Sequence, residues 1–406
     1  MVDAITTFSV AGAIIAIGFL ANGLFKKTGF PDTLFLILIG IVLGPLLSVF
    51  PREEMLPFTP FLTTLALIMI LFEGGLSMEI YKVISQSLRA TILAVIYVLA
   101  ATTFVTMFAY LVLGFGWIES LLLGPMTAGT SSVVIIPLVS RLNIKEEVGL
   151  TLSLESTITD VLNIVLVIAF LQMYTSGLMS VVQVASTIVT RFSVGAFLGF
   201  IVGLAWIKVL GVIRKQEFTY MLTIAALILC YVCSEILGGS GALSALLLGL
   251  VLGNYREISN VLSKKTDLSY MEESKNNVRH IQRELDFLIR AFFFVFLGLI
   301  YLPQWLGILF AGLIVATNLA WRYAAVTFAT FRSEMREYRK FMTLMCGTGL
   351  ANAALSVLVY NTLTTQGTQA AQAYLYPLIV ANTIIINNII TSAAPIILRL
   401  RQKQHM

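Results

Sequence analysis

Long apolar stretches separated by short polar ones recur along the whole chain, which is the pattern of a protein that crosses a membrane many times. A helix needs about 20 apolar residues to cross the hydrocarbon core of a bilayer. The pattern predicts an all-α membrane protein with about 13 transmembrane helices. The predicted spans lie near residues 7–25, 33–49, 59–78, 90–115, 117–140, 148–172, 192–213, 218–237, 240–254, 285–302, 305–330, 341–361 and 373–398.

The positive charges test this count. Lys and Arg fall in the loops after spans 1, 3, 5, 7, 9 and 11 and in the tail after span 13, or at the span ends that border them. The exceptions among the 26 Lys and Arg residues are Arg52, Arg191, Arg290 and Arg322. Positively charged loops remain in the cytoplasm. We therefore expect a multi-pass protein of the cell membrane with its N-terminus outside and its C-terminus cytoplasmic.

Composition narrows the function classes. Hydrophobic residues make up 58% of the 406 residues and charged residues 12%, whereas a soluble domain carries about 25% charged residues. We expect contact with membrane lipid, no sizeable soluble domain and no nucleic-acid partner. The two histidines, His280 and His405, lie outside the predicted spans. Because the spans hold no histidine, metal-ligand set or pair of nucleophile and base, we expect neither a cofactor nor an enzyme.

Ionisable side chains inside the spans are candidate functional groups, because a charge in hydrocarbon is costly. Five lie well inside: Glu73 in span 3, Glu155 and Asp160 in span 6, Arg290 in span 10, and Arg322 in span 11. The three acids argue against an anionic substrate.

Helix geometry separates the two acids of span 6. Ser156 and Asp160 are four residues apart and share a helix face, whereas Glu155 points about 140° away from Asp160. We predict that Asp160 with Ser156 faces a substrate path and that Glu155 forms a structural ion pair. The alternative is that both carboxylates are buried structural groups. Glu235 and Asp286 lie near span ends, where we expect them to reach water.

Spans 5 and 12 concentrate Gly, Thr and Ser at mid-membrane, in GPMTAGTSSVVIIP and MCGTGLANAAL. Glycine weakens a helix, and hydroxyl groups can satisfy freed backbone groups. Both spans are therefore predicted to unwind and to offer half-helix ends and loose carbonyls to an ion, although small residues also serve helix packing. The predicted broken-helix residues are Gly129, Ser132, Gly347, Thr348, Gly349 and Asn352.

The positions of the two interrupted spans predict an internal repeat. They lie seven spans apart, which suits two inverted repeats of six helices joined by span 7. The first half would be residues 1–172, the linking span residues 173–217, and the second half residues 218–406. Interrupted spans at corresponding positions are a pointer to a transporter's binding site.

Five segments also carry a family resemblance: PDTLFLILIGIVLGP, ILFEGGL, GTSSVVIIPLVSRL, LESTITD and IRAFFFVFLGL. LESTITD is similar to an E-S-x-x-N-D motif. In their order and spacing the segments resemble the sodium/proton exchanger branch of the cation/proton antiporter superfamily, over almost the whole chain. The resemblance implies inverted repeats of six spans, crossed broken helices at an ion site, and a homodimer.

By position, the resemblance implies that Asp160 binds both the cation and the proton. It makes Ser156 and Thr130 neighbouring oxygen ligands of Na⁺ or K⁺, and Glu73 an acid that lines the same site. Thr159 stands where the branch has the Asn before the key Asp, and is therefore also an ion-site position.

Two further positions depart from the branch. Ser131, also an ion-site position, stands where the branch has the Asp of T-D-P, which is closer to the potassium-efflux antiporter branch. Thr348 stands where the branch has an Arg that partners the acid equivalent to Glu155. The replacement partner is predicted to be Arg322 first and Arg290 second.

We therefore expect electroneutral exchange of one monovalent cation, Na⁺ or K⁺, for one proton, serving pH homeostasis, with the two ions competing for Asp160. Hard cations prefer the oxygen ligands that these residues supply. A first alternative is a potassium channel or efflux path, which would conduct without protons, although no filter-like repeat is present. A second is an organic-anion or bile-acid-type carrier, which would share the crossed broken helices but has no use for the three acids.

Overall fold

The computed structural model of this protein describes all residues except 1–3, 29–30, 51, 79–87, 141, 143, 177–180, 214–218, 256, 259–268 and 405–406. Throughout the described part the long elements are helices. They are α1 Ala4–Thr28, α2 Asp32–Ile41, α3 Arg52–Met55, α4 Thr59–Ser77, α5 Leu88–Phe108, α6 Trp117–Thr127, α7 Ser132–Val139, α8 Glu146–Ser176, α9 Val181–Val212, α10 Thr219–Ile236, α11 Gly241–Gly253, α12 Ser269–Leu299, α13 Trp305–Ala329, α14 Arg339–Leu344, α15 Leu350–Thr365 and α16 Ala370–Gln404. Single π-helical turns, Val42–Leu46 and Ala109–Leu113, extend α2 and α5.

Each predicted span coincides with a helix or with a broken helix, which confirms the all-α membrane fold. Eight described stretches are long and apolar enough to cross a membrane, namely Leu56–Ser77, Leu88–Leu113, Trp117–Val139, Glu146–Ser176, Val189–Val212, Thr219–Ile236, Trp305–Ala329 and Ala370–Pro395. Shorter apolar helices cover Gly12–Gly23, Asp32–Leu46 and Gly241–Gly253. The remaining spans, 10 and 12, are the second half of α12 and the pair α14 and α15.

Packing divides the chain into two compact units. The first comprises Met1–Thr63, Ser87–Thr175 and Arg290–Met406. Within it α5 packs against α6 and α13, and α16 packs against α13 and α15. The first unit therefore contains both interrupted spans. The predicted division into residues 1–172, 173–217 and 218–406 follows repeats rather than packing, and it stays a prediction.

The second unit comprises Thr64–Gln86 and Ser176–Ile289. In it α11 packs against α9 and α10. The Asn254 side chain at the end of α11 donates a hydrogen bond to the carbonyl of Met78, just past α4, at 2.7 Å. The second unit is thus a packed group of helices that is also linked by this hydrogen bond.

The two acids expected to reach water behave differently. Glu235 is exposed and accepts a hydrogen bond from the N–H of Gly241 at 2.8 Å, as predicted. Asp286 is only 8% exposed, so the prediction that it reaches water is wrong. The reason is that α12 begins at Ser269, well before the predicted span, so Asp286 lies inside a helix and not at its end.

Three loops of the first unit meet at one end. Arg89 at the start of α5 contacts Glu147 at the start of α8 and Ser333 after α13. Lys145 before α8 donates to Glu334 at 2.8 Å. These are the loops after spans 3, 5 and 11, which the alternation of charge places on one side of the membrane.

Candidate functional site

Span 5 is broken between α6 and α7. The chain leaves helical geometry at Ala128 (φ −86°, ψ 165°) and resumes a helix at Ser132. Between them Gly129 has a φ of +81°, a conformation that residues with a Cβ rarely adopt. Glycine at this position therefore permits the turn that separates the two half-helices.

Span 12 is broken between α14 and α15, and the two breaks touch. The N–H of Ser131 donates to the carbonyl of Gly347 at 2.8 Å. A Cβ added to Gly349 would lie 2.3 Å from the Ser131 Oγ, so glycine is required for this close approach. The crossed broken helices that the resemblance implied are thus present.

Three asparagines bind the free carbonyls at the end of α6. Asn163 of α8 donates to the carbonyl of Ala128 at 2.7 Å, and Asn318 of α13 donates to that of Thr127 at 3.0 Å. Asn352 of α15 donates to that of Met126 at 2.8 Å. The end of a helix leaves carbonyls without internal partners. These three carbonyls therefore each accept a side-chain amide from another span, and whether their second lone pairs also face an ion stays a prediction.

The carboxylate of Asp160, a residue of α8, lies at the start of the half-helix α7. Its Oδ2 accepts two hydrogen bonds from Ser132, one from the N–H at 3.0 Å and one from the hydroxyl at 2.8 Å. A helix N-terminus favours a negative charge, through its free N–H groups and its dipole. Ser156 lies one turn before Asp160 and is buried, with its hydroxyl donating to the carbonyl of Ser153 at 2.9 Å. Ser132, predicted only as a broken-helix residue, is thus a direct partner of Asp160.

Thr159 holds the backbone of the first break. Its hydroxyl accepts a hydrogen bond from the N–H of Thr130 at 3.1 Å and lies within bonding distance of the Thr130 carbonyl, at 3.0 Å. A hydroxyl both donates and accepts, so Thr can bind both backbone groups, as a side-chain amide at this position could. The Thr130 hydroxyl in turn donates to Glu155 at 3.1 Å.

Glu155 forms the predicted ion pair with Arg322. The two guanidinium nitrogens lie 2.9 and 3.1 Å from the two carboxylate oxygens, and both side chains are fully buried. Arg322 also donates to the carbonyls of Met342 and Met345, at 3.2 and 2.8 Å, and its guanidinium lies 5.1 Å from the Tyr97 ring centroid. Arg322 therefore links span 6 to the end of the half-helix α14. It lies in span 11, whereas the resemblance implied an arginine in span 12.

Arg290, the second candidate partner, pairs elsewhere. Its guanidinium lies 3.2 Å from a carboxylate oxygen of Asp32, the first residue of α2. The sequence reading passed over Asp32, although an acid that follows Pro31 at the start of an apolar span is a helix N-terminus signal.

Polar residues of span 13 bond to the second break and to α2. The Thr391 hydroxyl accepts a hydrogen bond from the N–H of Cys346 at 3.2 Å, and it lies 3.2 Å from the carbonyl of Leu344. The Asn388 amide donates to Thr33 at 3.0 Å. These residues were missed, although the run NTIIINNIITS is unusually polar for a span. Thr348, where the branch has its Arg, is buried in this break.

Glu73 lies on α4 in the second unit and is partly exposed. The first unit holds Asp160, Thr130 and Ser156. Hydrogen bonds link Thr130 of span 5 to Thr159 of span 6, and Ser132 of span 5 to Asp160 of span 6. The place of Glu73 beside them stays a prediction.

Comparison with known proteins agrees with this geometry. The family model of the transmembrane region of sodium/hydrogen exchangers matches residues 12–399. Na(+)/H(+) antiporter 1 of Methanocaldococcus jannaschii is 26% identical, over 95% of this chain and 92% of its own length. K(+)/H(+) antiporter NhaP2 of Shewanella sp. (strain ANA-3) is 28% identical over 66% of this chain, which spans about half of that relative's length (48%).

A solved structure shows the same fold. The sodium proton antiporter MjNhaP1 from Methanocaldococcus jannaschii, at pH 8, matches with a TM-score of 0.73 and 23% identity, over 97% of this chain and 95% of that one. Since the family model covers nearly the whole chain, this protein belongs to the sodium/hydrogen exchanger family, whose members are membrane transporters of cations and protons and not enzymes.

Proposed function

We propose that this chain exchanges one monovalent cation, Na⁺ or K⁺, for one proton, and that Asp160 binds the two ions in turn. The observation that carries the proposal is the carboxylate of Asp160 at the start of α7, held by Ser132 beside the crossing of the two breaks. The names of the relatives, which include Na⁺/H⁺ and K⁺/H⁺ antiporters, support the choice of ions.

The hydrogen-bond directions support oxygen ligation of a cation. The Thr130 hydroxyl donates its hydrogen to Glu155, and the Ser156 hydroxyl donates its hydrogen to Ser153. Each oxygen keeps lone pairs for another partner. Together with the carboxylate of Asp160, these are the hard oxygen ligands that alkali cations prefer.

The exchange follows from competition at a single carboxylate. When Asp160 is deprotonated, its negative charge attracts the cation, while Ser132 and the N-terminus of α7 stabilise the anion. When Asp160 is protonated, the charge that held the cation is gone. Alternating exposure of this one group to the two sides then carries a cation in one direction and a proton in the other.

The direct test is reconstitution of the full chain in liposomes that contain a pH-sensitive dye. We expect Na⁺ or K⁺ added outside to move protons out of acid-loaded vesicles. Cation flux measured with a tracer, without any proton movement, would contradict exchange and would indicate an uncoupled path.

Transport should be electroneutral. The LESTITD motif holds one carboxylate that we propose to bind ions, Asp160, since Glu155 is paired with Arg322 and positions 131 and 159 are neutral hydroxyl residues. We expect no sustained current on a solid-supported membrane after a Na⁺ or K⁺ concentration jump, under conditions in which the dye reports exchange. A current that rises and falls with the dye signal would contradict a one-for-one exchange.

We expect K⁺ to be transported at least as well as Na⁺. Ser131 lies buried at the crossing, where the branch has a carboxylate, and a weaker field favours the ion that is easier to dehydrate. Half-maximal Na⁺ and K⁺ concentrations at matched pH measure this preference.

Ser131→Asp should shift the ratio toward Na⁺, and Ser131→Asn, which is similar in size to aspartate but uncharged, is the matched control. A half-maximal Na⁺ concentration tenfold below that for K⁺ in the wild type would contradict the K⁺ prediction. An unchanged ratio in Ser131→Asp would remove the charge argument.

The assembly proposed is a homodimer in the cell membrane with the N-terminus outside. The meeting of the loops after spans 3, 5 and 11 supports the common side that charge assigns to them. Mass measurement in detergent tests the dimer, and labelling of single cysteines placed in these loops of intact cells tests the side.

A further inference from the structure

Asn163 lies on the same helix face as the proposed ion site. It follows Asp160 by three residues and Thr159 by four on α8, and side chains at these spacings are neighbours on a helix. The sequence has no Asn directly before Asp160, where the branch has one. It has an Asn one turn further along the same face.

The orientation of the Asn163 amide follows from its partner. Its side chain bonds to the carbonyl of Ala128 at 2.7 Å, and a carbonyl oxygen can only accept. The nitrogen must therefore face Ala128, so the assignment of oxygen and nitrogen is not a free choice here. The Oδ1 of Asn163 is directed to the other side of the amide.

That oxygen is buried and has no hydrogen-bond donor in the described part of the chain. Asn163 has no exposed surface, and its side chain lies directly on Gly129, since a Cβ there would be 2.4 Å from the amide nitrogen. A buried acceptor without a partner costs about 1–3 kcal/mol. A cation in the first break would supply the positive charge that this oxygen otherwise lacks.

The Thr159 hydroxyl is not the corresponding neutral ligand for a cation. Its hydroxyl is engaged with the N–H and carbonyl of Thr130, so it acts on the backbone of the break. The neutral amide oxygen that a cation would meet on this face is one turn further along, at residue 163.

We propose that the Oδ1 of Asn163 is a neutral ligand of the transported cation and sets its affinity and its Na⁺ to K⁺ ratio. The proposal rests on the proposed exchange at Asp160 and adds a specificity-determining residue to it. Amide oxygens are hard ligands that bind alkali and alkaline-earth cations. The amide nitrogen of the same side chain donates to the carbonyl of Ala128, so one side chain links the proposed ligand oxygen to the backbone of the break.

Asn318 provides a matched control. It has the same pattern, with its amide nitrogen on the carbonyl of Thr127 at 3.0 Å and its Oδ1 buried without a donor among the described residues. It lies on α13 and not on the helix that bears Asp160. Asn163→Ala and Asn318→Ala therefore remove the same kind of carbonyl cap, but only the first removes the proposed ligand.

The experiment measures half-maximal Na⁺ and K⁺ concentrations for dye-reported exchange, with melting temperature in detergent recorded for each variant. We expect Asn163→Ala to raise at least one half-maximal concentration about tenfold and to change the Na⁺ to K⁺ ratio at least threefold. Asn318→Ala should lower the melting temperature to a similar degree and leave the ratio at its wild-type value. Equal effects of both variants on the ratio would overturn the proposal and make Asn163 only a cap.

If Asn163→Ala does not fold, Asn163→Gln decides. It keeps an amide but moves the oxygen by one methylene, so the ratio should change at least threefold, and a ratio within twofold of wild type would overturn the proposal. The two proposals fail separately. A wild-type chain without exchange contradicts the proposed function, whereas wild-type exchange with unchanged ratios in the Asn163 variants contradicts only the ligand.

Discussion

Asp160→Asn should abolish cation-driven proton movement and leave the protein folded. Asparagine has the same shape, and its side-chain oxygen can still accept from the N–H of Ser132, which bonds to the carboxylate at 3.0 Å. It can neither lose nor gain a proton, so it cannot alternate between a charged state that attracts a cation and a neutral one. The measurement is the dye response of proteoliposomes to Na⁺ and K⁺, with gel filtration and melting in detergent to show folding.

Two comparisons sharpen this test. Glu235→Gln changes an exposed acid at the end of α10 and should exchange ions like the wild type. Asp160→Glu keeps a titratable group and should retain part of the activity, with changed half-maximal cation concentrations. Exchange by Asp160→Asn above about a tenth of the wild-type rate would remove Asp160 from the centre of the mechanism.

Glu155→Gln should strongly destabilise the protein. Glu155 and Arg322 are both fully buried and joined by two hydrogen bonds, and removal of one partner from such a pair costs about 3–5 kcal/mol because the other charge is left unpaired. Arg322 would keep its bonds to Met342 and Met345 but lose its counter-charge. We expect the melting temperature in detergent to fall by several degrees, and Arg322→Gln to have a similar effect.

A double variant and a surface pair test the cause. Residues in direct contact show non-additive effects, so the Glu155→Gln, Arg322→Gln double variant should lose less stability than the sum of the single variants. Glu334→Gln breaks the exposed pair with Lys145 and should leave melting unchanged, because surface ion pairs contribute little. Unchanged melting with altered cation affinity in Glu155→Gln would instead make Glu155 a direct ligand.

The candidate site shows where helix geometry alone succeeds. The five-residue spacing of Glu155 and Asp160 is enough to predict that the two carboxylates have different partners, because the direction of each side chain around one helix depends only on residue number. Glu155 pairs with Arg322, and Asp160 accepts from Ser132. Which arginine pairs with Glu155 depends on packing between helices. Arg322 reaches it and Arg290 reaches Asp32, and no spacing within span 6 could distinguish them.

Two of the three asparagines show where sequence reasoning fails, since only Asn352 was predicted as a broken-helix residue. Asn163, Asn318 and Asn352 come from three different spans, yet all three bind the end of α6. An amide in an apolar helix signals only that it needs partners. Whether the partner is its own helix, a neighbour or an ion is set by which backbone groups a distant break leaves free.

The sequence by itself determined the number and order of the spans, the alternation of charge and the location of both breaks. These follow from the thickness of the bilayer, the cost of charge in it and the weakness of Gly-rich helix, all of which act locally along the chain. Only the tertiary structure decided that Ser132 donates to Asp160 and that Arg322, rather than Arg290, pairs with Glu155. It also decided that Asp286 is buried and that side-chain amides donate to the carbonyls at the end of α6. Each of these depends on contacts between residues far apart in sequence, because a buried polar group must find its partner in whichever element the fold places beside it.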